Sequence, residues 1–301
     1  MLSSNFSKPD LHLLHVFIVV VDSKGFSAAQ AALNVSTSTI SRQISDLEIR
    51  LGMRLCQRGR MGFRVTDKGD LVYNAAKKLF ASLGEFSETV NGTRGKLVGK
   101  LSVGIVDNWI YNESATIVEA LRSFVSSAPD VSIDLHSLAP DDLEFGVFDG
   151  LISMGIGVFH THKPGLIYKE IGEEVIGLYC GKDHPLYNVS NEKEISKILK
   201  STLFARRAYL NEEKIAPITQ GLESNADAHQ IEGVAILILT GHYVGYLPQS
   251  FAESWVKDGR MKSVGQGLYD IPAATKLITK RGHKPSLIQT TFIDYLLNPE
   301  K

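Results

Sequence analysis

Residues 26 to 69 of this chain read FSAAQAALNVSTSTISRQISDLEIRLGMRLCQRGRMGFRVTDKG. The segment opens with a short alanine-rich helix, in which Ala28, Ala31 and Ala32 are small enough to let a second helix cross closely. Asn34 can take the left-handed conformation of a tight turn. A serine- and threonine-rich second helix and a glycine-linked hairpin follow. The segment therefore predicts a winged helix-turn-helix.

The second helix of this segment is amphipathic. Ser36 is expected to cap its start and Gly52 to end it. Its inward side is predicted from helical spacing to carry Ile40, Ile44, Leu47 and Leu51. Hydroxyl groups and an arginine at a helix N-terminus suit a phosphate-lined major groove. The residues predicted to contact DNA here are Ser36, Thr37, Ser38, Thr39, Ser41, Arg42 and Gln43.

The hairpin is expected to pair residues 55 to 58 with residues 63 to 66 around a glycine-flanked turn. Its basic residues Arg58, Arg60 and Arg64 are placed to reach the DNA backbone or the minor groove. The alternative is a solvated basic loop. A recognition helix next to it favours the DNA-contacting interpretation.

At these residues the chain resembles the LysR-type transcriptional regulators. The matching positions are Phe17, Ala31-Ala32, Ser36, Ser41, Ile44, Leu47-Glu48, Leu51-Gly52, Arg58, and Thr66 with Gly69. Two departures are Cys56, where the family usually has phenylalanine, and Thr37-Ser38, where Gln-Pro is common. The resemblance implies a sequence-specific regulator of transcription that responds to a small-molecule effector. Because Thr37 and Ser38 face DNA, it also implies a base preference different from that of familiar members.

Charge and length support two functional parts. A chain of 301 residues is too long for one small DNA-binding module, so a second domain must follow. The net charge is −1, yet residues 1 to 96 hold 13 of the 32 Lys and Arg and only 8 of the 33 Asp and Glu. The nucleic-acid contact is therefore expected in the N-terminal part.

The two cysteines, Cys56 and Cys180, give neither a disulfide framework nor zinc spacing, which fits a reducing cytoplasm. Residues 11 to 21 imitate the apolar core of a secretory signal, but their helical spacing and the interrupting His12 and His15 favour an ordinary helix, capped by Asp10. The apolar run 234 to 239 is too short to span a bilayer. We expect a cytoplasmic protein with no membrane partner.

A long helix is predicted from residue 67 to about residue 91, capped by Thr66. It carries one apolar stripe, made of Leu71, Ala75, Leu79, Leu83, Phe86 and Val90. Such a stripe predicts core packing or a coiled coil. The resemblance implies a linker helix that pairs two subunits, giving a homodimer or homotetramer on an interrupted inverted repeat of double-stranded DNA. Residues 91 to 95 are expected to form a hinge.

Beyond residue 97 the pattern alternates between strands and helices, which predicts an α/β domain with a parallel sheet and ligands at the carboxyl ends of its strands. The resemblance implies a periplasmic-binding-protein-like effector domain of two α/β subdomains. The expected domains are a winged helix-turn-helix (1–66), a linker helix (67–93) and an effector-binding domain (94–301). Subdomain I is expected at 97–162 and 268–301, and subdomain II at 163–267, with crossovers near 160–167 and 264–271.

The effector-binding residues that the resemblance implies are Asp107, Asn108, Trp109, Leu138, Ala139, Arg206, Arg207, Tyr209, Glu223, His242 and Tyr243. Arg206 or Arg207 could clamp a carboxylate in a dry cleft, so the expected effector is a small organic anion. The alternative is that both are surface arginines. Tyr243 stands where the family commonly has glycine, and either stacks on the ligand or only packs.

Other kinds of site receive little support. His160 and His162 could be half of a metal site, but the sequence around them offers no further ligands, and a polar hinge segment is the stronger interpretation. We find no nucleophile elbow, P-loop or dinucleotide fingerprint, so neither a cofactor nor an enzyme is expected. The alternative class is a solute-binding protein, which needs no DNA-binding head, whereas this sequence predicts one. RNA polymerase is a further candidate partner of a regulator.

Overall fold

The computed structural model of the chain describes residues 8–59, 62–106, 117–207 and 223–298. Two compact units are present, Met1–Phe86 and Ser87–Lys301, and their boundary falls inside one helix.

The first unit is the predicted winged helix-turn-helix. Its elements are α1 (Lys8–Asp22), α2 (Phe26–Leu33), α3 (Thr37–Leu51), β1 (Cys56–Gly59), β2 (Gly62–Val65) and the start of α4 (Asp67–Gly92). Asn34 ends α2 with a φ of 52°, and Gly52 ends α3 with a φ of 65°, so both left-handed turns form where expected. Ser36 caps α3 by accepting a hydrogen bond from the Thr39 amide.

Two expectations about the first unit are wrong in detail. The alanine that packs at the helix crossing is Ala29, which is fully buried one turn after Phe26, whereas Ala28, Ala31 and Ala32 are exposed. Asp10 does not cap α1, because it lies in the first turn of that helix with its side chain buried against Arg50 of α3. A buried carboxylate needs such a cationic partner.

Helix α4 passes close to the wing. A Cβ at Gly69 would lie only 2.2 Å from the backbone oxygen of Leu55, so this position has no room for a side chain. The apolar stripe of α4, formed by Leu71, Ala75, Leu79, Leu83, Phe86 and Val90, is exposed along its whole length. Much of the surface of the stripe is therefore left open to solvent in the single chain.

The last turn of α4 belongs to the second unit. The Glu88 carboxylate accepts a hydrogen bond from the Lys100 amide at 3.4 Å, and the Asn91 side chain donates to the Val98 carbonyl at 3.4 Å. The helix ends at Gly92, and Gly95 turns the chain with a φ of 67°. These contacts fix the end of α4 against the first strand of the effector domain.

The second unit is an α/β domain, as predicted. Its strands are β3 (Gly99–Ile105), β4 (Val131–Ser137), β5 (Met154–Val158), β6 (Leu166–Gly181), β7 (Leu203–Arg207), β8 (Glu223–Ala228), β9 (Tyr243–Pro248), β10 (Met261–Ser263) and β11 (Ile271–Lys280). Its helices are α5 (Ile117–Ser127), α6 (Pro140–Phe148), α7 (Glu192–Leu199), α8 (Ile231–Leu239), α9 (Gln249–Lys257) and α10 (Leu287–Leu297). The strand order is β4-β3-β5-β11-β6-β9-β7-β8, and β10 pairs with β6.

Two long strands, β6 and β11, join the two halves of this sheet. They pair antiparallel from Leu166↔Lys280 to Ile176↔Ile271. Leu166 and Leu277 pack in the cores of the first half, whereas Ile176 and Ala273 pack in a core of the second half. The change of core thus falls within these strands, several residues beyond the crossovers expected near 160–167 and 264–271. The predicted subdomain boundaries remain proposals.

Within the described part of the chain, no helix combines the length and apolar character needed to cross a membrane.

Candidate functional site

The exposed side of the N-terminal half of α3 is the first candidate site. Ser36 lies 2.9 Å from the hydroxyls of both Ser38 and Thr39, and Thr37 donates to the Gln30 side chain at 2.8 Å. Ser36 and Thr37 are thus engaged in local hydrogen bonds that fix the turn. Ser38, Thr39 and Arg42 are exposed, whereas Ser41 is half-buried.

Gln43 points to a different side of the helix from Arg42. Its side-chain nitrogen lies 2.9 Å from Nε2 of His12, so Gln43 is turned towards α1. Successive residues of a helix are about 100° apart, which explains why neighbours face different surfaces. The structure therefore brings together Ser38, Thr39 and Arg42 on the outward face and separates Gln43 from them.

Two buried carboxylates hold α3 in place. Asp10 of α1 accepts a hydrogen bond from Arg50 near the end of α3. Glu48, only 7% exposed, accepts hydrogen bonds from the amides of Leu55 and Cys56 and pairs with Arg54 at 3.1 Å. From the sequence, Glu48 is identified only as a position that matches the LysR-type pattern. Its helical spacing, four residues after the inward-facing Ile44, is a signal that the side chain faces inward.

The wing is anchored by an aromatic contact. The ring of Phe63 meets that of Phe26 edge to face, with 5.6 Å between centroids. Because side chains alternate along a strand, Arg64 lies on the opposite side from Phe63, and it is exposed. Arg60 and the side chain of Arg58 lie outside the described residues.

The strand directions place the second candidate site between the two halves of the effector domain. Strands β3, β4 and β5 are parallel to one another, and β7 is parallel to both β8 and β9. Strand β11 runs opposite to β5, and β6 runs opposite to both β11 and β9. The carboxyl ends of β3–β5 therefore point towards the second half, and those of β7–β9 point back towards the first. A ligand cleft lies where such ends face each other.

On the first side of this cleft, Leu138 and Ala139 follow the carboxyl end of β4 and are half-buried. Ala139 is the residue before α6, whose first position is Pro140. The structure thus places both residues on the predicted edge. Asp107, Asn108, Trp109 and Tyr209 lie outside the described residues.

On the second side, Arg206 and Arg207 end β7 with their side chains on opposite faces. Arg206 is exposed and its Nε lies 2.7 Å from Oδ1 of Asp227 on β8; the guanidinium lowers the pKa of that carboxyl. Arg207 is only 8% exposed. The two arginines therefore cannot close on one ligand together, and Arg207 is the one whose charge lies in a poorly solvated position.

Glu223, His242 and Tyr243 lie at the other edge of this half. Glu223 and Tyr243 each begin a strand and both pair with Leu203, the first residue of β7. The Tyr243 hydroxyl donates to Asn225 at 3.0 Å, and Nδ1 of His242 lies 2.9 Å from the Thr240 carbonyl. This placement corrects the expectation that they line the cleft, since amino ends of these parallel strands point away from it.

A cavity of about 460 Å³ adjoins the carboxyl end of β5 and both crossover strands. Val158, Phe159 and His160 line one side of it, and Glu170, Glu173, Glu174 and Lys276 supply its charged groups. His162 lies outside it, stacked on Tyr168 with 4.2 Å between ring centroids. Among the residues described, no three His, Cys, Asp or Glu side chains are grouped to hold a metal ion. The sequence does not predict this acidic cavity. Its glutamates all lie on the long strand β6, and only the fold shows that this part of the strand borders a cavity.

Comparison with known families agrees with this architecture. Residues 11–70 match the family model "Bacterial regulatory helix-turn-helix protein, lysR family", and residues 94–299 match the model "LysR substrate binding domain". The chain belongs to the LysR family of transcriptional regulators. It is thus a sequence-specific DNA-binding regulator whose activity is modulated by a small-molecule effector bound in its C-terminal domain.

Individual relatives cover nearly the whole chain. The HTH-type transcriptional activator BauR of Pseudomonas aeruginosa is 35% identical over 286 residues, which is 95% of this chain and 93% of BauR. The crystal structure of full-length CbnR complexed with its target DNA has a TM-score of 0.68 and 20% identity, covering 97% of this chain and 99% of that one. A full-length OxyR variant from Pseudomonas aeruginosa has a TM-score of 0.63 and 16% identity, covering 96% of this chain and 93% of that one. These two structures are similar to this chain in fold.

Proposed function

We propose that α3 reads the operator through Ser38, Thr39 and Arg42, and that Arg58, Arg60 and Arg64 of the wing contact its phosphates. The observation that supports this most is that α3 exposes these three polar side chains in its N-terminal half, while Asp10 and Glu48 hold its C-terminal end in place. A helix held rigidly at one end presents its other end to DNA without a further ordering cost. Selection of bound sequences from a random DNA pool tests this, because the base preference must change when Arg42 is replaced.

We propose that the chain acts as a homodimer or homotetramer on an interrupted inverted repeat. The exposed apolar stripe of α4 supports this, since a contiguous apolar surface is costly to leave in water and typical of a partner interface. Pairing two copies presents two recognition helices to two half-sites. Footprinting on the selected operator should show two protected half-sites related by a two-fold axis.

We propose that the effector is a small organic anion bound between the carboxyl ends of the strands. Arg207, Leu138 and Ala139 support this position, together with the predicted residues Asp107, Asn108, Trp109 and Tyr209. A carboxylate next to a poorly solvated guanidinium forms a strong bidentate hydrogen bond. The acidic cavity beside β5 sets a limit on this anion, because its charged end must avoid Glu173 and Glu174.

We propose that the protein activates transcription and contacts RNA polymerase. The similarity to BauR, which is described as an activator, supports this direction of control. The role requires access to the chromosome, so we place it in the cytoplasm, and we assign it no enzymatic activity. Transcription from a template carrying the operator should rise when the protein and its effector are added to purified RNA polymerase.

A further inference from the structure

One side chain on α3 is exposed although it is large and apolar. Ile49 is 77% exposed, the highest fraction among the exposed large apolar side chains of the described residues. The buried side of the helix is formed by Ile40, Ile44 and Leu47. Ile49 therefore does not contribute to the core of the unit that contains it.

Ile49 lies in the same line as the residues proposed to read DNA. Ser38, Arg42, Ser45 and Ile49 are separated by four, three and four positions, which places them on one face of a helix. Ile49 is seven residues beyond Arg42, or about 10 Å along the axis at ~1.5 Å per residue. At ~3.4 Å of rise per base pair, this corresponds to roughly three base pairs.

The surface around Ile49 is partly hollow and carries charges of both signs, with Asp46 exposed on one side and Arg54 on the other. A shallow depression is lined by Ile49 together with Ser45, Glu48, Gly52, Met53 and Arg54. The Arg54 side chain is 82% exposed, while its carboxylate partner Glu48 is buried behind it. An apolar side chain next to an exposed cation suits a groove wall, where methyl groups and phosphates lie side by side.

The position of Ile49 is fixed. The following residue, Arg50, is tied to Asp10, and Gly52 ends the helix immediately afterwards. A side chain held in this way can be selective, because little conformational freedom is lost when it makes a contact. On this stretch the exposed cations Arg42, Arg50 and Arg54 outnumber the exposed carboxylate Asp46, and this excess favours a polyanion over a protein as the partner.

We propose that Ile49 contacts the C5-methyl group of a thymine in the major groove, about three base pairs from the base that Arg42 reads, with Arg54 on an adjoining phosphate. Thymine is the one base that offers a methyl group in that groove, so apolar contact distinguishes it from the others. This inference rests on the proposed role of α3 as the recognition helix. It assigns a specificity-determining residue to the C-terminal half of that helix.

Replacing each operator thymine singly by uracil tests the contact, because this change removes only the methyl group. For the unmodified protein, one uracil position in each half-site should weaken binding about three- to five-fold, as expected for one buried methyl group. Ile49→Ala should bind the thymine and uracil operators equally, and Ile49→Val should show an intermediate difference. Ile236→Ala, which removes another exposed isoleucine, serves as the control and should behave like the parent.

Three outcomes separate the possibilities. If Ile49→Ala retains the same thymine preference as the parent, the inference is wrong. If Ile49→Ala binds every operator normally but no longer stimulates RNA polymerase, the side chain is a protein-docking residue and the inference is also overturned. Arg42→Ala, measured in parallel, reports on the recognition helix itself. If Arg42→Ala loses operator binding while Ile49→Ala keeps the thymine preference of the parent, the thymine contact is rejected and the recognition-helix assignment stands.

Discussion

The carboxylate of Glu48 holds the backbone amide of Leu55, with 2.8 Å between Oε1 and N. Glu48 lies on α3 and Leu55 lies just before the first strand of the wing. The same oxygen accepts from the Cys56 amide at 3.1 Å. One side chain thus couples the position of the recognition helix to the position of the wing, the two parts that we propose touch DNA.

Glu48→Ala should lower the free energy of unfolding by about 3 kcal/mol, because two buried amides lose their acceptor. Glu48→Gln keeps an oxygen at this position and should cost about 1 kcal/mol. Urea denaturation of the full chain, followed by circular dichroism, measures both. Equal stability of the alanine variant and the parent would show that the amides find other acceptors. Asp46→Ala, at an exposed position of the same helix, is the matched control.

Arg42→Ala should reduce the preference for the operator over unrelated DNA, since a direct base contact contributes about 1 to 3 kcal/mol of discrimination. Arg64→Ala should instead weaken binding to all sequences and reduce the slope of log K against log salt by about 1. Gel-shift titrations at several salt concentrations distinguish the two effects. A variant at Arg42 that keeps full discrimination would contradict the recognition-helix assignment.

Leu79→Glu should dissociate the oligomer, because it places a charge in the apolar stripe that we propose is buried between two copies of α4. Asn74→Glu introduces the same charge on the same helix outside the stripe, and should leave the assembly intact. Sedimentation velocity gives the masses directly. If the mass of the Leu79→Glu oligomer equals that of the parent, the proposal that this stripe pairs two copies is wrong.

Arg207→Gln should abolish binding of the effector, whereas Arg206→Gln should leave it nearly unchanged. The reason is that Arg207 is buried at the carboxyl end of its strand and Arg206 is exposed beside Asp227. Calorimetry with a panel of small organic acids provides the measurement. If Arg206 were essential for binding and Arg207 were not, the anion would have to bind on the opposite face of β7 from the one proposed.

Acid should destabilise the effector domain through His184. Burial lowers the pKa of this imidazole, and the charge of His242 lowers it further. Nδ1 accepts a hydrogen bond from the Leu186 amide at 3.1 Å, so the neutral ring is the form that fits. The unfolded chain takes up the proton near pH ~6.5. The stability from neutral His184 is therefore complete above that pH and declines as the pH falls through the lowered folded value.

His184→Asn retains an acceptor oxygen and should flatten this decline in stability. Thermal unfolding measured between about pH 5 and pH 8 tests this, because that range spans the unfolded-state pKa of ~6.5. His229→Asn, at an exposed position, should leave the decline in place. A parent protein whose melting temperature is constant over this range would rule out the mechanism.

The sequence predicted the first unit well because its signals are local. Asn34, Ser36 and Gly52 act within one turn of chain, and helical spacing identified Ile40 and Ile44 as inward-facing. The role of Glu48 depends on amides that are brought near it only by folding, so its position alone did not reveal it. The sequence left Arg206 and Arg207 as alternatives, and the alternation of side chains along β7 separates them.

Strand direction was the information that the sequence lacked in the effector domain. His242 and Tyr243 follow a helix and begin a strand, and a resemblance in motif does not say which end of that strand faces the cleft. The register Leu203↔Tyr243 shows that His242 and Tyr243 lie level with the start of β7, which is the end of the strand that points away from the cleft. The exposure of Ile49 does not follow from the sequence for a simpler reason, because a single apolar residue on a polar helix face does not form a hydrophobic pattern.

The division of α4 between the two units has a consequence for building hybrid regulators. Glu88 and Asn91 tie the last turn of the helix to Val98 and Lys100. A graft that joins a foreign DNA-binding head at Gly95 would discard those ties, whereas a junction before Ser87 keeps them. Such a junction lies in mid-helix, where inserting seven residues adds nearly two whole turns and preserves the helical phase. Inserting five would shift the helical phase across the junction by about 140°.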